Sequence, residues 1–362
     1  MIGNFLLKSL ILLASLSLLG CTESTPERQN PLKRLADGST KFKNPSPGNI
    51  IPFPEAHAPK KSYRQEWWYL TANLTTEEGQ SLATQWTLFR RGVEDRHWYF
   101  AHAALADKQH HLSAYRDGRE ELGTVTINTL PFNAMIDDWH WASTGELLPA
   151  RLQYGSRPLQ QEDEGQAYNR GSDWQVRLNL SDEQTFFLQG EEGFSQKHHK
   201  LNIASHYYSQ PFIKITGQVF WQGKWQEVTG DAWFDREWGS QMLAADQQGW
   251  DWFSLRLDEG TALMVYRIRS TVRDYLYGSI MKRSGEVQTL SEQDIQISIL
   301  GSVDAYPNAF NIRIPDEGIN LDVKVINDKQ IMRMGIEYFE GMVRFSGSHQ
   351  GQGFLEMTGY SE

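Results

Sequence analysis

Hydrophobic and polar residues alternate in short runs along most of this chain, and Gly, Asn or Asp separates one run from the next. The segments DWQVRLNL, WFSLRLDEGTALMVYRIRS and LDVKVI show this pattern. Alternation places successive side chains on opposite faces of a strand, and the Gly-containing breaks at 222–224 and 258–260 are typical of hairpin turns. Beyond about residue 59, no segment shows a long apolar period of about 3.6 residues. The pattern predicts an all-β protein.

The strand pattern is also repeated once. EWWYLTANLTTEEGQ, which starts at Glu66, is similar to GWDWFSLRLDEGT, which starts at Gly249. A hairpin from Tyr207 is similar to one from Tyr338, and both end in Thr-Gly. Two opening strands and two closing hairpins predict two antiparallel β-barrels in tandem. Closing a sheet into a barrel removes its exposed edges and creates an interior that can hold a small ligand.

These repeats also set the predicted domain bounds. We expect the first barrel at residues 53–244 and the second at 245–362, with the junction near 243–248.

The N-terminus has the features of an export signal with a lipidation site. Residues 1–20 contain Lys8 and an apolar run that is too short for a permanent membrane span. The run ends in LLGC at Cys21, which resembles a bacterial lipobox, and Thr22 favours the outer membrane. We expect acyl chains on Cys21 to anchor the protein in the cell envelope, facing the periplasm, through a polar tether at 21–52. The alternative is an ordinary secretory signal followed by a chance cysteine.

Composition excludes several classes of function. The net charge of -10 argues against nucleic acid, because phosphates would repel this surface. The single cysteine rules out disulfides within the chain. No glycine-rich phosphate loop, no G-x-S-x-G elbow and no histidine pair with metal-binding spacing is found, so we expect neither a cofactor nor a metal. All thirteen tryptophans lie between Trp67 and Trp252, which is a rich supply of aromatic surface.

The candidate chemistry is concentrated in GDAWFDREWGSQ, residues 230–241. As an extended strand, this segment places Trp233, Asp235 and Glu237 on one face and the residues between them, Arg236 included, on the other. If the two carboxyls face an apolar interior, desolvation and their mutual repulsion raise their pKa values. A carboxylic acid that stays protonated near neutrality can donate its proton to an alkene, and tryptophan faces can stabilise the resulting cation.

Several motifs identify a known family. QEWWYLTANL, GDAWFDREWGSQ and GWDWFSLRLDEG resemble the AttH-like, lipocalin-like bacterial proteins, which are grouped with carotenoid 1,2-hydratases and predicted secreted hydrolases. The resemblance runs from about Phe53 to the C-terminus and includes His57 in FPEAHAP, His102 in YFAHAAL, GFSQK, and His206 in SHYYS. It implies two lipocalin-like barrels, the same fold that the repeat predicts.

The resemblance gives two interpretations of the central segment. Lipocalin-like barrels commonly stack an arginine of the last strand on a tryptophan of the first. Arg236 would then lie on Trp67 or Trp68, with Asp235 or Glu237 as its ionic partner. The carotenoid hydratases instead carry a histidine where this chain has Arg236, and arginine cannot replace it as an acid–base group.

The hydratases also use a downstream tyrosine and a carboxylate. Tyr266 is the nearest tyrosine, but Ile268 lies where the carboxylate is expected. His57 and His102 are further candidate bases. The predicted catalytic residues are therefore Asp235, Glu237, His57, His102 and Tyr266. The predicted ligand-binding residues are Trp68, Trp233, Arg236, Trp238, Asp251, Trp252 and His206.

Three functions are consistent with these features. The first is binding of an apolar ligand, a lipid or an isoprenoid, in the first barrel or between the barrels. The second is a cofactor-free hydratase or hydrolase-like enzyme that uses Asp235 or Glu237. The third is a non-enzymatic partner of an envelope transport complex. Turnover that is abolished by Asp235→Asn would distinguish the second function from the others.

Overall fold

A computed structural model describes residues 41–156, 173–181 and 185–360. The predicted export signal, Cys21 and most of the predicted tether lie outside the described residues. None of the helices in the described ranges is long and apolar enough to cross a membrane. Within them, strands dominate, and the helical pieces are three-residue 3₁₀ turns at Glu55–His57, Glu120–Leu122 and Pro315–Glu317.

The first sheet is antiparallel and occupies the N-terminal part of the described chain. Its main path runs β4-β3-β2-β1-β13-β12-β9-β8-β7-β6-β5, and β10 and β11 add to β12. The sheet curls until β4 comes near β6, so it is almost closed. Its strands are β1 Gln65–Thr76, β2 Ser81–Val93, β3 Arg96–Ala106, β4 His111–Gly118, β5 Val125–Thr129, β6 Phe132–Ile136, β7 Trp139–Ser143, β8 Ala150–Gly155, β9 Gln175–Ser181, β10 Phe187–Leu188, β11 Phe194–Gln196, β12 Ala204–Trp221 and β13 Lys224–Gly239.

The second sheet is also antiparallel and curled, with the path β17-β16-β15-β14-β23-β22-β20-β19-β18 and β21 on β22. The prediction of an all-β protein with two barrel-like domains is confirmed. Its strands are β14 Gln247–Arg256, β15 Thr261–Ser270, β16 Tyr275–Lys282, β17 Val287–Leu290, β18 Gln296–Val303, β19 Tyr306–Ile314, β20 Ile319–Val325, β21 Ile331–Met334, β22 Ile336–Gly347 and β23 Gly351–Thr358.

The repeat in the sequence corresponds to the same closure in each domain. In the first, the opening strand β1 pairs with the closing strand β13; in the second, β14 pairs with β23. The turn at 222–224 is a tight hairpin in which Gln222 and Gly223 both have positive φ, as a type I′ turn requires. The two domains therefore share one mode of closure.

The interior of the first barrel is filled by its own side chains. Trp68, Trp86, Trp141 and Phe234 pack in one core cluster with other buried residues of this domain. The second barrel has a separate core that includes Phe253, Phe310 and Val343. A third apolar cluster, which contains Tyr69, Trp233, Trp252 and Met264, lies where the outer faces of the two barrels meet. This third cluster borders the candidate site.

Candidate functional site

A cavity of about 560 Å³ lies between the two barrels, outside both cores. The alternation of β1 explains its wall: Trp68 and Leu70 point into the first core, whereas Trp67 and Tyr69 point out to the cavity. The apolar and aromatic residues that line it are Trp67, Tyr69, Phe89, Phe100, Tyr115, Tyr207, Met242, Trp250, Trp252, Tyr266, Ile268, Met334 and Tyr338.

Asp235 lies in the first-barrel wall of this cavity and is only 3% exposed. Its neighbours across the sheet are Tyr69 on β1 and Ser209 on β12. The Ser209 hydroxyl donates to Asp235 Oδ1 at 2.5 Å, and Trp233 Nε1 donates to the same oxygen at 3.0 Å. Burial raises the pKa of Asp235 to about 7, although these hydrogen bonds oppose the shift. This carboxyl can therefore hold and release a proton near neutrality.

Glu237 lies beside Asp235 on the same face but is compensated by a cation. Lys197 Nζ is 2.9 Å from Glu237 Oε1, and the Ser205 hydroxyl also donates to that oxygen. The same ammonium lies 5.1 Å from the centre of the Tyr207 ring and 4.6 Å from that of Tyr266. Glu237 is therefore held as half of an ion pair over two aromatic rings.

The second barrel contributes two carboxyls that sequence reasoning missed. Glu340 on β22 and Glu356 on β23 are direct cross-strand neighbours. The Tyr69 hydroxyl donates to Glu340, and Trp250 Nε1 donates to Glu356 Oε1 at 2.5 Å. Burial raises the pKa of Glu356 to about 7, and burial together with Glu356 raises that of Glu340 well above its usual range. A lone carboxyl within each apolar run, YFEGMV and FLEMTG, was the signal in the sequence.

His102 lies at another part of the cavity wall, on β3. Its Nδ1 is 2.9 Å from the Tyr338 hydroxyl, which belongs to the second barrel. Its Nε2 is buried and has no hydrogen-bond partner within the described residues. Burial lowers the pKa of His102 to about 4, so the ring is neutral at physiological pH.

Three further predicted residues lie at or near the cavity. The Tyr266 hydroxyl donates to the Gln196 carbonyl at 3.0 Å, and burial raises the pKa of Tyr266 well above its usual range. Trp252 Nε1 donates to the Tyr207 hydroxyl at 3.2 Å. Trp233 lies behind Asp235 in the apolar cluster between the barrels and does not line the cavity.

Arg236 points away from the cavity, into the first barrel. Its guanidinium carbon is 3.9 Å from the centre of the Trp68 ring and 5.0 Å from that of Trp238, so the predicted stack on the first strand is present. The predicted ionic partner was wrong. Arg236 pairs with Glu66, because alternation turns Asp235 and Glu237 to the opposite face.

Glu66 is bound by two arginines. Arg90 and Arg236 both pair with it, and all three side chains are fully buried. Burial alone would raise the pKa of Glu66, but the two guanidinium groups lower this pKa below its usual value. The cluster is a compensated charge group at one end of the barrel.

The remaining predicted site residues lie away from the cavity wall. His57 Nδ1 is 2.6 Å from the Tyr208 hydroxyl, and burial, then Arg236, lowers the pKa of His57 to about 3. His206 packs on Trp238 with ring centres 5.5 Å apart, and burial lowers the pKa of His206 to about 4.

Asp251 is likewise outside the cavity wall. It pairs with Arg267 at 2.6 Å and with Arg269 at 3.4 Å. Within the described ranges, no three His, Cys, Asp or Glu side chains are grouped so that they could hold a metal ion.

Proteins of known structure share this architecture. The crystal structure of an AttH-like protein from Nitrosomonas europaea is similar, with 28% identity, a TM-score of 0.75, and coverage of 88% of this chain and 100% of that one. Kievitone hydratase from Nectria haematococca shares the fold at 15% identity, with a TM-score of 0.63 and coverage of 89% and 98%. No curated protein matches the sequence. The model of the AttH-like family matches residues 44–360, and the chain therefore belongs to the AttH-like family.

Proposed function

We propose that this protein binds a predominantly apolar small molecule, a lipid or an isoprenoid, in the cavity between its barrels. The observation that carries the proposal is the cavity itself, about 560 Å³ in volume with walls that are mostly aromatic. Sites for small molecules typically measure about 300–1,000 Å³ and are lined by apolar side chains with a few polar groups. Tryptophan side chains occupy the interior of the first barrel as part of its packed core. This favours the space between the barrels as the ligand site.

Binding can be tested with the protein's own tryptophans. Trp67, Trp250 and Trp252 line the cavity, so a bound hydrophobe should change their fluorescence. Organic extracts of purified protein, analysed by mass spectrometry, should contain a co-purified apolar compound.

A pair of variants checks where the ligand binds. Thr87→Phe fills part of the cavity and should weaken binding, whereas Thr126→Phe on the exposed surface should not. Equal binding by the two folded variants would contradict the proposed location.

A second candidate function is favoured by one observation, the position of Asp235 on the cavity wall. A carboxyl whose pKa is near 7 is partly protonated at physiological pH and can act as a general acid. In a hydration reaction, the carboxylic acid of Asp235 would donate its proton to one carbon of an alkene and form a new C–H bond. Water would then add to the resulting carbocation. The surplus proton of that water would return to the carboxylate. Kievitone hydratase has a similar fold, and an aromatic wall suits a cationic intermediate.

Hydration can be tested with a panel of isoprenoid alkenes in water labelled with heavy oxygen. The expected product carries one labelled hydroxyl, and its rate of formation should fall as pH rises above about 7, because the acid loses its proton. Asp235→Asn should abolish this reaction while hydrophobe binding remains. Labelled product from the Asn variant, at the wild-type rate, would remove Asp235 from this role.

We further propose that acyl chains on Cys21 attach the protein to the outer membrane, facing the periplasm. The support is the lipobox-like LLGC and the polar segment that follows it. Labelling of cells with a radioactive fatty acid should mark the wild-type protein and leave Cys21→Ser unlabelled. Incorporation into both would overturn the assignment.

A further inference from the structure

We infer that the ligand of the cavity between the barrels is a lipophilic cation, an amine or quaternary ammonium group attached to an apolar body. This inference rests on the proposed binding function and specifies the class of ligand. It comes from the way in which the protein compensates its buried carboxyls.

Two other buried carboxyls, Glu66 on the cavity wall and Asp251 outside it, each have two cationic partners. Glu66 pairs with Arg90 and Arg236, and Asp251 pairs with Arg267 and Arg269. This is the expected arrangement, because an unpaired buried charge is strongly unfavourable.

Three buried acids at the cavity lack such a partner. Asp235, Glu340 and Glu356 have no ion pair with a Lys, Arg or His side chain anywhere in the described part of the chain. Asp235 and Glu356 line the cavity from opposite barrels. The unpaired acids are therefore grouped where a ligand would enter, which indicates that the ligand supplies the positive charge.

Tyr69 links the three acids into one group. It is the cross-strand neighbour of Asp235, and its hydroxyl donates to Glu340, which is in turn the neighbour of Glu356. Glu340 is 1% exposed, and its Oε2 has no hydrogen-bond partner in the described ranges. It lies on the face of β22 that also carries Tyr338 to the cavity wall. Its side chain is also hydrogen-bonded to that of Glu356, so a positive charge beside Glu356 acts on both acids.

The wall already contains one cation held in this way. Lys197 lies over the rings of Tyr207 and Tyr266 and pairs with Glu237. Cation–π attraction adds roughly 0.5–2 kcal/mol in such settings. Trp250 and Trp252 lie near the unpaired acids. Their rings could form cation–π contacts with a ligand cation, as the rings of Tyr207 and Tyr266 do with Lys197.

Within the described residues, none of the other charged groups around the cavity forms an ion pair with these acids. Lys197 is neutralised by Glu237, Arg90 is neutralised by Glu66, and His102 is neutral at physiological pH. Arg91 also lines the cavity, on the same outward face of β2 as Phe89. The tyrosines that face the acids, Tyr69 and Tyr338, remain protonated, because burial raises both of their pKa values well above the usual range. A cation would therefore meet acids that release a proton when it binds.

The test compares two probes of equal chain length, decyltrimethylammonium and 1-decanol, below their aggregation concentrations. Affinities are measured by titration calorimetry at about pH 5.5 and about pH 8.5. Because Asp235 and Glu356 ionise near neutrality, the ammonium probe should bind roughly ten-fold or more tightly at the higher pH, and the affinity for 1-decanol should change little. Binding of the ammonium probe should also release protons to the buffer.

The outcomes separate the two proposals. If neither probe binds, the proposed binding function fails. If 1-decanol binds and the ammonium probe binds no better at either pH, the binding function stands and the cationic ligand is overturned.

Variants of the two acids that line the cavity test which of them is responsible. Glu356→Gln and Asp235→Asn should each weaken ammonium binding at high pH by roughly ten-fold, equivalent to one pKa unit of interaction, and leave 1-decanol binding intact. Glu121→Gln, at an exposed position, is the matched control and should bind both probes as the wild type does. Wild-type ammonium affinity in either folded cavity variant would contradict the inference for that residue.

Discussion

The two faces of β13 carry charge in opposite ways. On the inner face, Arg236 is stacked between two tryptophans and paired with Glu66, which Arg90 also holds. On the outer face, Asp235 is just as deeply buried but has only hydroxyl and indole donors. The charges of the inner cluster balance one another and help to fix the geometry of the barrel. The carboxyl of Asp235 on the outer face can instead hold and release a proton near neutrality. The same strand therefore carries a compensated charge cluster on one face and an acid without an ionic partner on the other.

The difference shows what a buried charge can indicate. A compensated pair such as Glu66 and Arg236 is commonly a device of structure. An uncompensated acid on a cavity wall is unfavourable for folding, so its presence points to a ligand or a reaction.

The largest effect should come from the inner face. Arg236→Met leaves Glu66 with one partner and removes the stack on Trp68, so we expect the free energy of unfolding to fall by about 3–5 kcal/mol. Urea unfolding near neutral pH measures it. Arg151→Met, on an exposed position of β8, should change it by less than about 0.5 kcal/mol. If the two variants were equally stable, the buried cluster would not have the structural role described.

An intermediate effect should come from the outer face and depend on pH. The folded protein raises the pKa of Asp235 from 3.8 to about 7, so between these values the folded state holds a proton that the unfolded state releases. Stability should therefore fall as pH rises from about 4 to about 7, by up to about 1.4 kcal/mol per unit from this group. Asp235→Asn should make the slope shallower.

Unfolding curves at several pH values measure this slope. Glu356 contributes in the same direction, so some slope should remain in the variant. Asp117→Asn, at an exposed position of β4, should keep the wild-type slope. An unchanged slope in Asp235→Asn would mean that this carboxyl is ionised in the folded protein.

The smallest effect should come from His102. Tyr338→Phe removes its hydroxyl partner across the barrels and should lower stability by about 0.5–1.5 kcal/mol. Tyr115→Phe, whose ring also lies beside His102 but whose hydroxyl is not bonded to it, is the control. Nuclear magnetic resonance of the His102 ring should show the neutral form above about pH 5, because burial lowers the pKa of His102 to about 4. Titration near its ordinary value would contradict the burial described.

Local pattern was sufficient to predict much of this fold. Alternation gave the strands, the repeat gave two barrels, and alternation within 233–238 separated Asp235 from Arg236 correctly. The stack of Arg236 on Trp67 or Trp68 was expected from the resemblance to lipocalin-like barrels, and Trp68 is the residue that the structure shows. These features depend on neighbours in the chain or on the ends of a barrel, which a sequence displays.

The features that were missed depend on pairing between distant strands. Glu66 reaches Arg236 because β1 and β13 are in register, and Glu340 meets Glu356 through the register of β22 and β23. His57 lies in a family motif, yet it packs in the first core beside Tyr208 rather than at the cavity. Position in a motif does not tell which side of a barrel wall a side chain faces.

Because the cavity is bounded by the outer surfaces of two barrels that each have their own core, a change in its shape need not open a hole in either core. Small substitutions at the wall would avoid the loss of stability, about 2–5 kcal/mol, that accompanies removal of a large core side chain. The shape of the space between the barrels can therefore vary while the core of each barrel stays packed.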